Sequence, residues 1–280
     1  MKVGIIGAGT MGTGIAQAFA AAEGYTVILC DVDRETAQAG IARIVANVNK
    51  SVAKGRMEQK NAEAIITSIV AEERPKLAEC DFILEAASER AEIKRALFAE
   101  LAAQCPANVL FASNTSSLSI TELGRGLNRP IIGMHFFNPA ETLKLVEVIA
   151  GLHTPRETID RVLSIARDIG KTPVEVQDSA GFVVNRILIP MINEAVCVLA
   201  EGIARPEDID LAMKLGASHP MGPLALGDLV GLDVCLAIME VLHSETGDDK
   251  YRPHPLMRKM VRGGMLGRKT GRGFFSYTTS

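Results

Sequence analysis

Residues 3–12 read VGIIGAGTMG, a short apolar run followed by the pattern G-x-G-x-x-G. The run is typical of a strand that is buried on both faces, and the glycines lead from it into a helix. In this pattern Gly7 permits a tight turn, Gly9 lets the backbone approach a pyrophosphate, and Gly12 allows the helix to pack closely on the strand. The helix N-terminus offers N–H groups and a partial positive charge to phosphates. The stretch therefore predicts a dinucleotide-binding site.

An acidic residue supports this interpretation and indicates which dinucleotide binds. Residues 26–30 form the second predicted strand, and Asp31 follows it about 20 residues beyond Gly12, where a ribose-binding carboxylate belongs. A carboxylate accepts hydrogen bonds from the ribose 2′-hydroxyl and repels a 2′-phosphate, so we predict NAD rather than NADP. The nearby Arg34 keeps NADP as the alternative. Glycines that only pack the end of a strand are the structural alternative to a binding site.

Short apolar runs alternate with helical patterns through the first two thirds of the chain. The predicted strands are residues 3–6, 26–30, 81–84, 109–112, 131–134 and 143–148. The predicted helices are residues 13–22, 35–53, 62–70, 91–103 and 156–169. This alternation predicts an α/β fold with a Rossmann-type, doubly wound parallel sheet.

The strand signals stop near Ser179, and the remainder of the chain has helical periodicity. Helices are predicted for residues 182–200, from Pro206 onward, and for residues 232–243. We therefore expect two domains. Residues 1–180 would form the NAD-binding Rossmann-type domain, and residues 181–280 a smaller all-α C-terminal domain for substrate binding and dimerisation.

Composition excludes several classes of protein. The chain has 280 residues, of which 48% are hydrophobic and 22% charged, a balance typical of globular proteins. Its formal net charge of −3 gives no cationic surface to follow a nucleic-acid backbone. No apolar run approaches the roughly 18 residues that a transmembrane helix needs. We expect neither a nucleic-acid partner nor a membrane span.

The cysteines and histidines give no sign of a disulfide framework or a metal site. The five cysteines are scattered and never spaced as C-x-x-C, so reduced thiols are predicted. The histidines at 153, 219, 243 and 254 lack metal-ligand spacing, and no metal is expected. Glycines interrupt the apolar stretch near the N-terminus and argue against a signal peptide, so we expect a cytoplasmic protein.

Two residues far apart in the sequence are placed to form an acid–base pair. His135 ends one predicted strand and Glu147 lies inside the next, with an Asn-Pro turn between them. If these strands form a hairpin centred on Glu141, His135 and Glu147 are opposite each other, and opposite side chains are in contact. An imidazole can accept the proton of an alcohol while hydride leaves for a nicotinamide, and a carboxylate can orient it. A strand-end histidine bonded to the backbone is the structural alternative.

A series of motifs then resembles one family of enzymes over nearly the whole chain. These motifs are GAGTMG (7–12), SNTSS (113–117), HFFNP (135–139), KLVE (144–147), GFVVNR (181–186), MKLG (213–216), HPMGP (219–223) and GRKTGRGF (267–274). Together, in this order, they resemble the short-chain L-3-hydroxyacyl-CoA dehydrogenases, bacterial members above all. The resemblance implies an acyl-CoA substrate and a homodimer built largely through the helical C-terminal domain.

The resemblance also implies a role for particular residues. His135 and Glu147 match the catalytic pair, and Ser116 and Asn185 match residues that hydrogen-bond the substrate near its reacting oxygen. The positions that match contacts with the dinucleotide are Gly7, Gly9, Thr10, Met11, Gly12, Asp31, Glu89, Lys94, Ser116, Asn138 and Lys269. Lys54 and Asn47 match positions that contact coenzyme A.

Each of these roles has a structural alternative. Ser116 would cap a turn or helix, Asn185 would be a buried structural amide, and Lys54 would be a solvated cation at a helix end. The chain also departs from the family pattern, because residues 140–142 read AET where apolar residues are usual, and Arg90 replaces a small polar residue. Neither change removes a group that the chemistry requires. The functional alternatives are a dehydrogenase of a free hydroxy acid or sugar acid, and a nucleotide-binding protein without catalysis.

Overall fold

The eight strands within the described residues lie in the first of two units. The computed structural model describes residues 1–277, and its contacts divide the chain into one unit that spans Met1–Ser179 and a second that begins at Ala180. The strands are β1 (Lys2–Ile6), β2 (Thr26–Cys30), β3 (Ile69–Ala71), β4 (Phe82–Glu85), β5 (Leu110–Ser113), β6 (Ile131–Phe136), β7 (Leu145–Ala150) and β8 (Thr172–Gln177). They form one sheet in the order β3-β2-β1-β4-β5-β6-β7-β8.

Helices fill the rest of the first unit and make up most of the second. In the first unit they are α1 (Thr10–Ala20), α2 (Arg34–Ala53), α3 (Gln59–Thr67), α4 (Ala91–Gln104), α5 (Ile120–Leu123) and α6 (Arg156–Asp168). In the second they are α7 (Val184–Ala200), α8 (Pro206–Gly216), α9 (Pro223–Val230), α10 (Leu232–Thr246) and α11 (Pro255–Arg262). Short 3₁₀ helices cover Arg74–Glu79, Asp249–Tyr251 and Arg268–Thr270. The predicted Rossmann-type sheet with a helical C-terminal part is confirmed.

Alternating side chains of the central strands pack against helices on opposite faces of the sheet. Ile5 and Leu84 belong to one apolar core together with Phe19 of α1. On the other face, the ring of Phe111 from β5 lies 6.0 Å from the ring of Phe98 of α4. This alternation is the reason that the strands read as continuous apolar runs in the sequence.

One antiparallel pair interrupts the parallel sheet. Strands β6 and β7 run in opposite directions, and β8 is parallel to β7. The hairpin predicted from the turn between residues 135 and 147 is therefore confirmed. Because β7 runs backwards, its first residues lie at the edge of the sheet where β6 ends.

Several elements differ from the predictions, and helices α5, α9 and α11 were not predicted. The helix predicted for residues 62–70 ends at Thr67, and Ile69–Ala71 forms the edge strand β3. Strand β8 was not predicted, because the sequence TPVEVQ contains a proline and mostly exposed residues, as edge strands often do. Helix α1 begins at Thr10 rather than at residue 13, since the glycines are accommodated within its first turn.

We expect Gly133→Ala to destabilise the first unit. A methyl group on Gly133 in β6 would lie 2.7 Å from Cβ of Ile149 and 3.1 Å from Cδ1 of Ile120. Overpacking of a core typically costs about 1–3 kcal/mol. The measurement is the free energy of unfolding in urea. Gly124→Ala is the control, because its nearest heavy atom lies 3.5 Å away; equal stability of the two variants would contradict the packing argument.

Candidate active site

The loops that follow the strands carry most of the predicted cofactor residues. The glycine-rich loop follows β1, Asp31 follows β2, Glu89 follows β4, and Ser116 follows β5. These four strands are parallel, so their C-terminal ends lie at one edge of the sheet. That edge is where open α/β sheets bind their ligands. The fold therefore brings residues from four distant segments to one place.

Each glycine of the loop meets a different environment. Gly7 has a φ of +104°, and a Cβ there would lie 2.5 Å from the carbonyl oxygen of Ala86. A Cβ on Gly12 would overlap the carbonyl oxygen of Gly7. A Cβ on Gly9 would have no protein atom within 4 Å among the described residues. Gly7 and Gly12 are therefore required by the backbone itself, while the space at Gly9 can take a bound group.

The loop is held in place by side chains that flank it. Asp31 accepts hydrogen bonds from the backbone N–H groups of Ala8, at 2.5 Å, and of Val32, at 2.7 Å. Arg43 of α2 donates to the carbonyl oxygen of Ala8. The carboxylate that the sequence predicted for the ribose thus lies beside the loop. Arg43 was missed, because one cation on an exposed helix face carries no sequence signal.

Behind the loops lies a buried ion pair. The ammonium nitrogen of Lys94 is 2.6 and 2.8 Å from the two carboxylate oxygens of Glu85. Ser113 donates to the same carboxylate at 2.7 Å. Lys94 is 1% exposed and Glu85 is 0% exposed. The predicted dinucleotide contact of Lys94 is therefore a side chain enclosed by protein carboxylates. Glu85 was missed, because the predicted strand ended one residue before it.

Glu89 connects this ion pair with the loop after β5. One of its oxygens accepts hydrogen bonds from the Thr115 hydroxyl at 2.6 Å and from the backbone N–H of Ser116 at 2.7 Å. Its other oxygen lies 3.3 Å from the ammonium of Lys94. Burial disfavours ionisation of Glu89, but Lys94 and these hydrogen bonds outweigh it, so the pKa of Glu89 is below its ordinary value. Glu89 and Ser116 therefore form one charged, ordered cluster.

His135 and Glu147 meet directly across the β6–β7 pair. They are partners in the antiparallel register, and Nδ1 of His135 lies 2.8 Å from an Oε of Glu147. His135 is 5% exposed and Glu147 1% exposed. The predicted contact between these residues is confirmed. Asn114, the first residue after β5, supports it, since its side-chain oxygen accepts a hydrogen bond from the backbone N–H of Phe136 at 2.8 Å.

The residues predicted to contact coenzyme A lie on helix α2. The side-chain amide of Asn47 donates to Gln17 at 3.0 Å and to Glu141 at 3.3 Å. Lys54 caps the C-terminus of α2 and is exposed. Asn138 is exposed in the turn between β6 and β7. These side chains are in the first unit and on its surface.

Two predicted site residues belong to the second unit. Asn185 lies in the first turn of α7 and is 9% exposed. Lys269 lies in the last 3₁₀ helix, where its ammonium is 2.6 Å from the carboxylate of Asp233. Lys269 is therefore held by an ion pair within its own unit.

The structure contains neither a disulfide nor a metal cluster within residues 1–277. All five cysteines are free, and four of them are buried. No group of three His, Cys, Asp or Glu side chains in that range could hold a metal ion. No helix in the described part of the chain is long and apolar enough to cross a membrane.

Comparison with known families assigns both units. Residues 2–179 match the family model for the 3-hydroxyacyl-CoA dehydrogenase NAD binding domain, and residues 181–277 match that for the C-terminal domain. The chain belongs to the 3-hydroxyacyl-CoA dehydrogenase family. The dehydrogenase is an NAD-dependent oxidoreductase, which confirms the resemblance and the prediction of NAD.

Individual relatives are similar over their full lengths. The dehydrogenase is 50% identical over 279 residues to a probable 3-hydroxybutyryl-CoA dehydrogenase of Bacillus subtilis (strain 168), covering 99% of this chain and 97% of that one. It is 51% identical over 280 residues to a 3-hydroxybutyryl-CoA dehydrogenase of Clostridioides difficile, covering 99% of each. The crystal structure of (S)-3-hydroxybutyryl-CoA dehydrogenase from Ralstonia eutropha matches with a TM-score of 0.95 and 47% identity, again over 99% of each chain.

We expect Lys94→Met to destabilise the dehydrogenase strongly. The substitution leaves the fully buried carboxylate of Glu85 without its cation. Removal of one partner from a buried ion pair typically costs about 3–5 kcal/mol. The measurement is urea unfolding followed by circular dichroism.

The control for this prediction is the double variant Glu85→Gln, Lys94→Met. It has no buried charge at this site, so it should recover much of the lost stability. A double variant that is no more stable than Lys94→Met would contradict the assignment of the loss to the unpaired carboxylate.

Proposed function

We propose that the dehydrogenase interconverts (S)-3-hydroxybutyryl-CoA and acetoacetyl-CoA with NAD and NADH. The observation that carries this proposal is the contact between His135 and Glu147, a base and a carboxylate that are both buried at the edge of the sheet. The full-length similarity to enzymes named for this substrate supports the choice of acyl group.

The proposed reaction uses the two residues in separate roles. NAD supplies the hydride acceptor when it is bound. His135 faces Glu147 through Nδ1, so Nε2 is the atom that takes the proton from the 3-hydroxyl group as hydride leaves C3. The carboxylate of Glu147 stabilises the protonated imidazole and fixes the orientation of its ring. In the reverse direction His135 returns the proton to the oxygen as the ketone is reduced.

The dinucleotide fits the loop residues of the first unit. We propose that the pyrophosphate lies over Gly9 and the first-turn N–H groups of α1, from Thr10 to Gly12, which have no acceptor within the helix. Asp31 would then accept hydrogen bonds from the ribose hydroxyls in place of the one from the Ala8 N–H. The proposed contacts of Glu89, Ser116, Asn138 and Lys269 complete the site, and Lys94 acts through Glu89.

The remaining assignments concern the acyl-CoA and the assembly. We propose that Ser116 and Asn185 hydrogen-bond the substrate near its reacting oxygen, and that Asn47 and Lys54 contact coenzyme A. We also propose a homodimer formed through the second unit, where the apolar side chains of Ile187 and Leu215 are 67% and 76% exposed. The five unpaired cysteines support a cytoplasmic location.

The proposed activity is tested by the oxidation of NADH with acetoacetyl-CoA, with free acetoacetate as the matched substrate without the thioester. We expect turnover with acetoacetyl-CoA. His135→Gln should lower the rate by at least about a hundredfold, the scale of general acid–base catalysis, while NADH still binds. Glu147→Gln should lower kcat more than it raises KM for the acyl-CoA. Near-normal turnover of the His135 variant would remove this residue from the mechanism.

Two glycine variants separate cofactor contact from folding. Gly9→Ala adds a methyl group that meets no described protein atom within 4 Å, so its stability should stay within about 0.5 kcal/mol of the parent. Its NADH affinity should fall at least tenfold, because the methyl group occupies the proposed pyrophosphate position. Gly12→Ala should be destabilised instead, since its methyl group overlaps Gly7. The measurements are NADH fluorescence titration and urea unfolding; unchanged NADH affinity of Gly9→Ala would contradict this placement.

A further inference from the structure

A buried lysine binds the turn that connects β6, which carries His135, with β7, which carries Glu147. Lys171 lies between the end of α6 and the start of β8, and its side chain reaches the turn of residues 137–144. Its ammonium donates hydrogen bonds to the carbonyl oxygens of Ala140 at 2.6 Å and Leu143 at 2.8 Å. Lys171 is 7% exposed. The contact is therefore a charged hydrogen-bond donor sealed against the backbone of one turn.

No carboxylate oxygen of residues 1–277 lies within 4 Å of this ammonium. Burial lowers the pKa of Lys171, the nearby Lys144 lowers it further, and Glu141 partly opposes both. A buried charge is costly unless polar groups compensate for it. Here the compensating groups are main-chain carbonyls, so the position of the turn and the charge of Lys171 depend on each other.

The turn needs this donor because its internal hydrogen bonds are few. The backbone N–H groups of Thr142 and Leu143 both donate to the carbonyl oxygen of Pro139, at 3.1 and 2.9 Å. The next residue after Lys171 adds one more tie, since the N–H of Thr172 donates to the carbonyl oxygen of Lys144 at 2.7 Å. Two consecutive residues thus bind three carbonyls of the turn, at 140, 143 and 144.

The same turn packs against the helix that begins at the glycine-rich loop. A methyl group on Gly14 of α1 would lie 3.2 Å from Cβ of Ala140 and 2.8 Å from a carboxylate oxygen of Glu141. Glu141 also accepts the hydrogen bond from Asn47 of α2. The turn is therefore held by its contacts with α1 and α2 and by the hydrogen bonds from Lys171.

We propose that Lys171 is a positioning residue for hydride transfer. Its ammonium fixes the turn that follows His135, contains Asn138 and leads to Glu147. Lys171 thereby determines the position of the imidazole relative to the cofactor. This inference rests on the proposed function. Lys171 touches neither substrate nor cofactor and acts only through the backbone of residues 140–143. A displacement of about 1 Å at a reacting group can cost on the order of a hundredfold in rate.

The test is Lys171→Met, which keeps an unbranched side chain as far as Cε and removes the charge and the donors. We expect kcat for NADH oxidation with acetoacetyl-CoA to fall at least tenfold, with KM for acetoacetyl-CoA changed less than threefold. The deuterium isotope effect with NADH deuterated at C4 should increase, because hydride transfer then limits the rate. Lys171→Ala should regain activity, with saturation, when propylammonium is added to fill the space.

The control is Tyr25→Phe, which removes a hydrogen bond of 3.2 Å to Asp168 at the end of the same helix without touching the turn. It should leave kcat and the isotope effect unchanged. If Lys171→Met does not fold, Lys171→Gln takes its place with the same expectations, because its amide is uncharged and lies one bond closer to the backbone than the ammonium, so it does not reproduce both hydrogen bonds.

The outcomes are distinct from those of the proposed function. Parent-like kcat and isotope effect in the folded Lys171 variant would overturn the proposal, whatever its melting temperature. Loss of activity that propylammonium does not restore in Lys171→Ala would also overturn it. An inactive parent enzyme would instead contradict the proposed function. In that case the NADH affinity of the Lys171 variant would test the positioning of the turn alone, and a parent-like affinity would overturn the role of Lys171.

Discussion

The contact between a buried imidazole and a buried carboxylate organises this protein. His135 and Glu147 are both nearly inaccessible to water, so water cannot replace either as the hydrogen-bond partner of the other. The distance from Nδ1 of His135 to the Glu147 carboxylate is 2.8 Å. A contact of this kind needs residues that face each other directly, which an antiparallel pair provides. Strands β1 to β6 are parallel and β7 is reversed, so β7 provides the antiparallel partner that places Glu147 opposite His135. It also brings the start of β7 to the same edge of the sheet as the loops that follow the parallel strands.

Other buried charges give that edge its rigidity. Glu85 and Lys94 lie beneath the loop after β5, and Lys171 lies beneath the turn after β6. Each is satisfied by protein groups alone, so moving the loop would leave a charge without a partner in a medium that solvates it poorly. The exposed ion pairs of Arg156 with Asp160 and Glu175 differ, because water competes for them and they contribute little. Burial therefore decides which charged contacts constrain the site.

Much of the fold and of the site could be predicted from local patterns. Buried parallel strands and amphipathic helices have distinct periods, and this was enough for most of the first unit and for α7, α8 and α10 of the second, but not for the short helices α9 and α11. The failures have physical causes. Edge strands β3 and β8 are short or mostly exposed, so neither carries the signature of a buried strand. Glu85 and Lys171 were missed because a charged residue at the end of an apolar segment is normally taken to be exposed to solvent. Only its buried partners show otherwise.

Three features follow from the order of residues alone: the glycine-rich turn, the acidic residue after β2, and the register of the hairpin that pairs His135 with Glu147. These features depend on spacing along one short stretch of chain, and spacing can be read directly. Three other contacts follow from the tertiary structure. Lys94 is enclosed by carboxylates, Asp31 and Arg43 bind the N–H and the carbonyl oxygen of Ala8, and Lys171 binds the turn. Those contacts join residues 23 to 35 positions apart, or 9 across a loop, and they form only when the order of strands and the burial of each face bring the partners together.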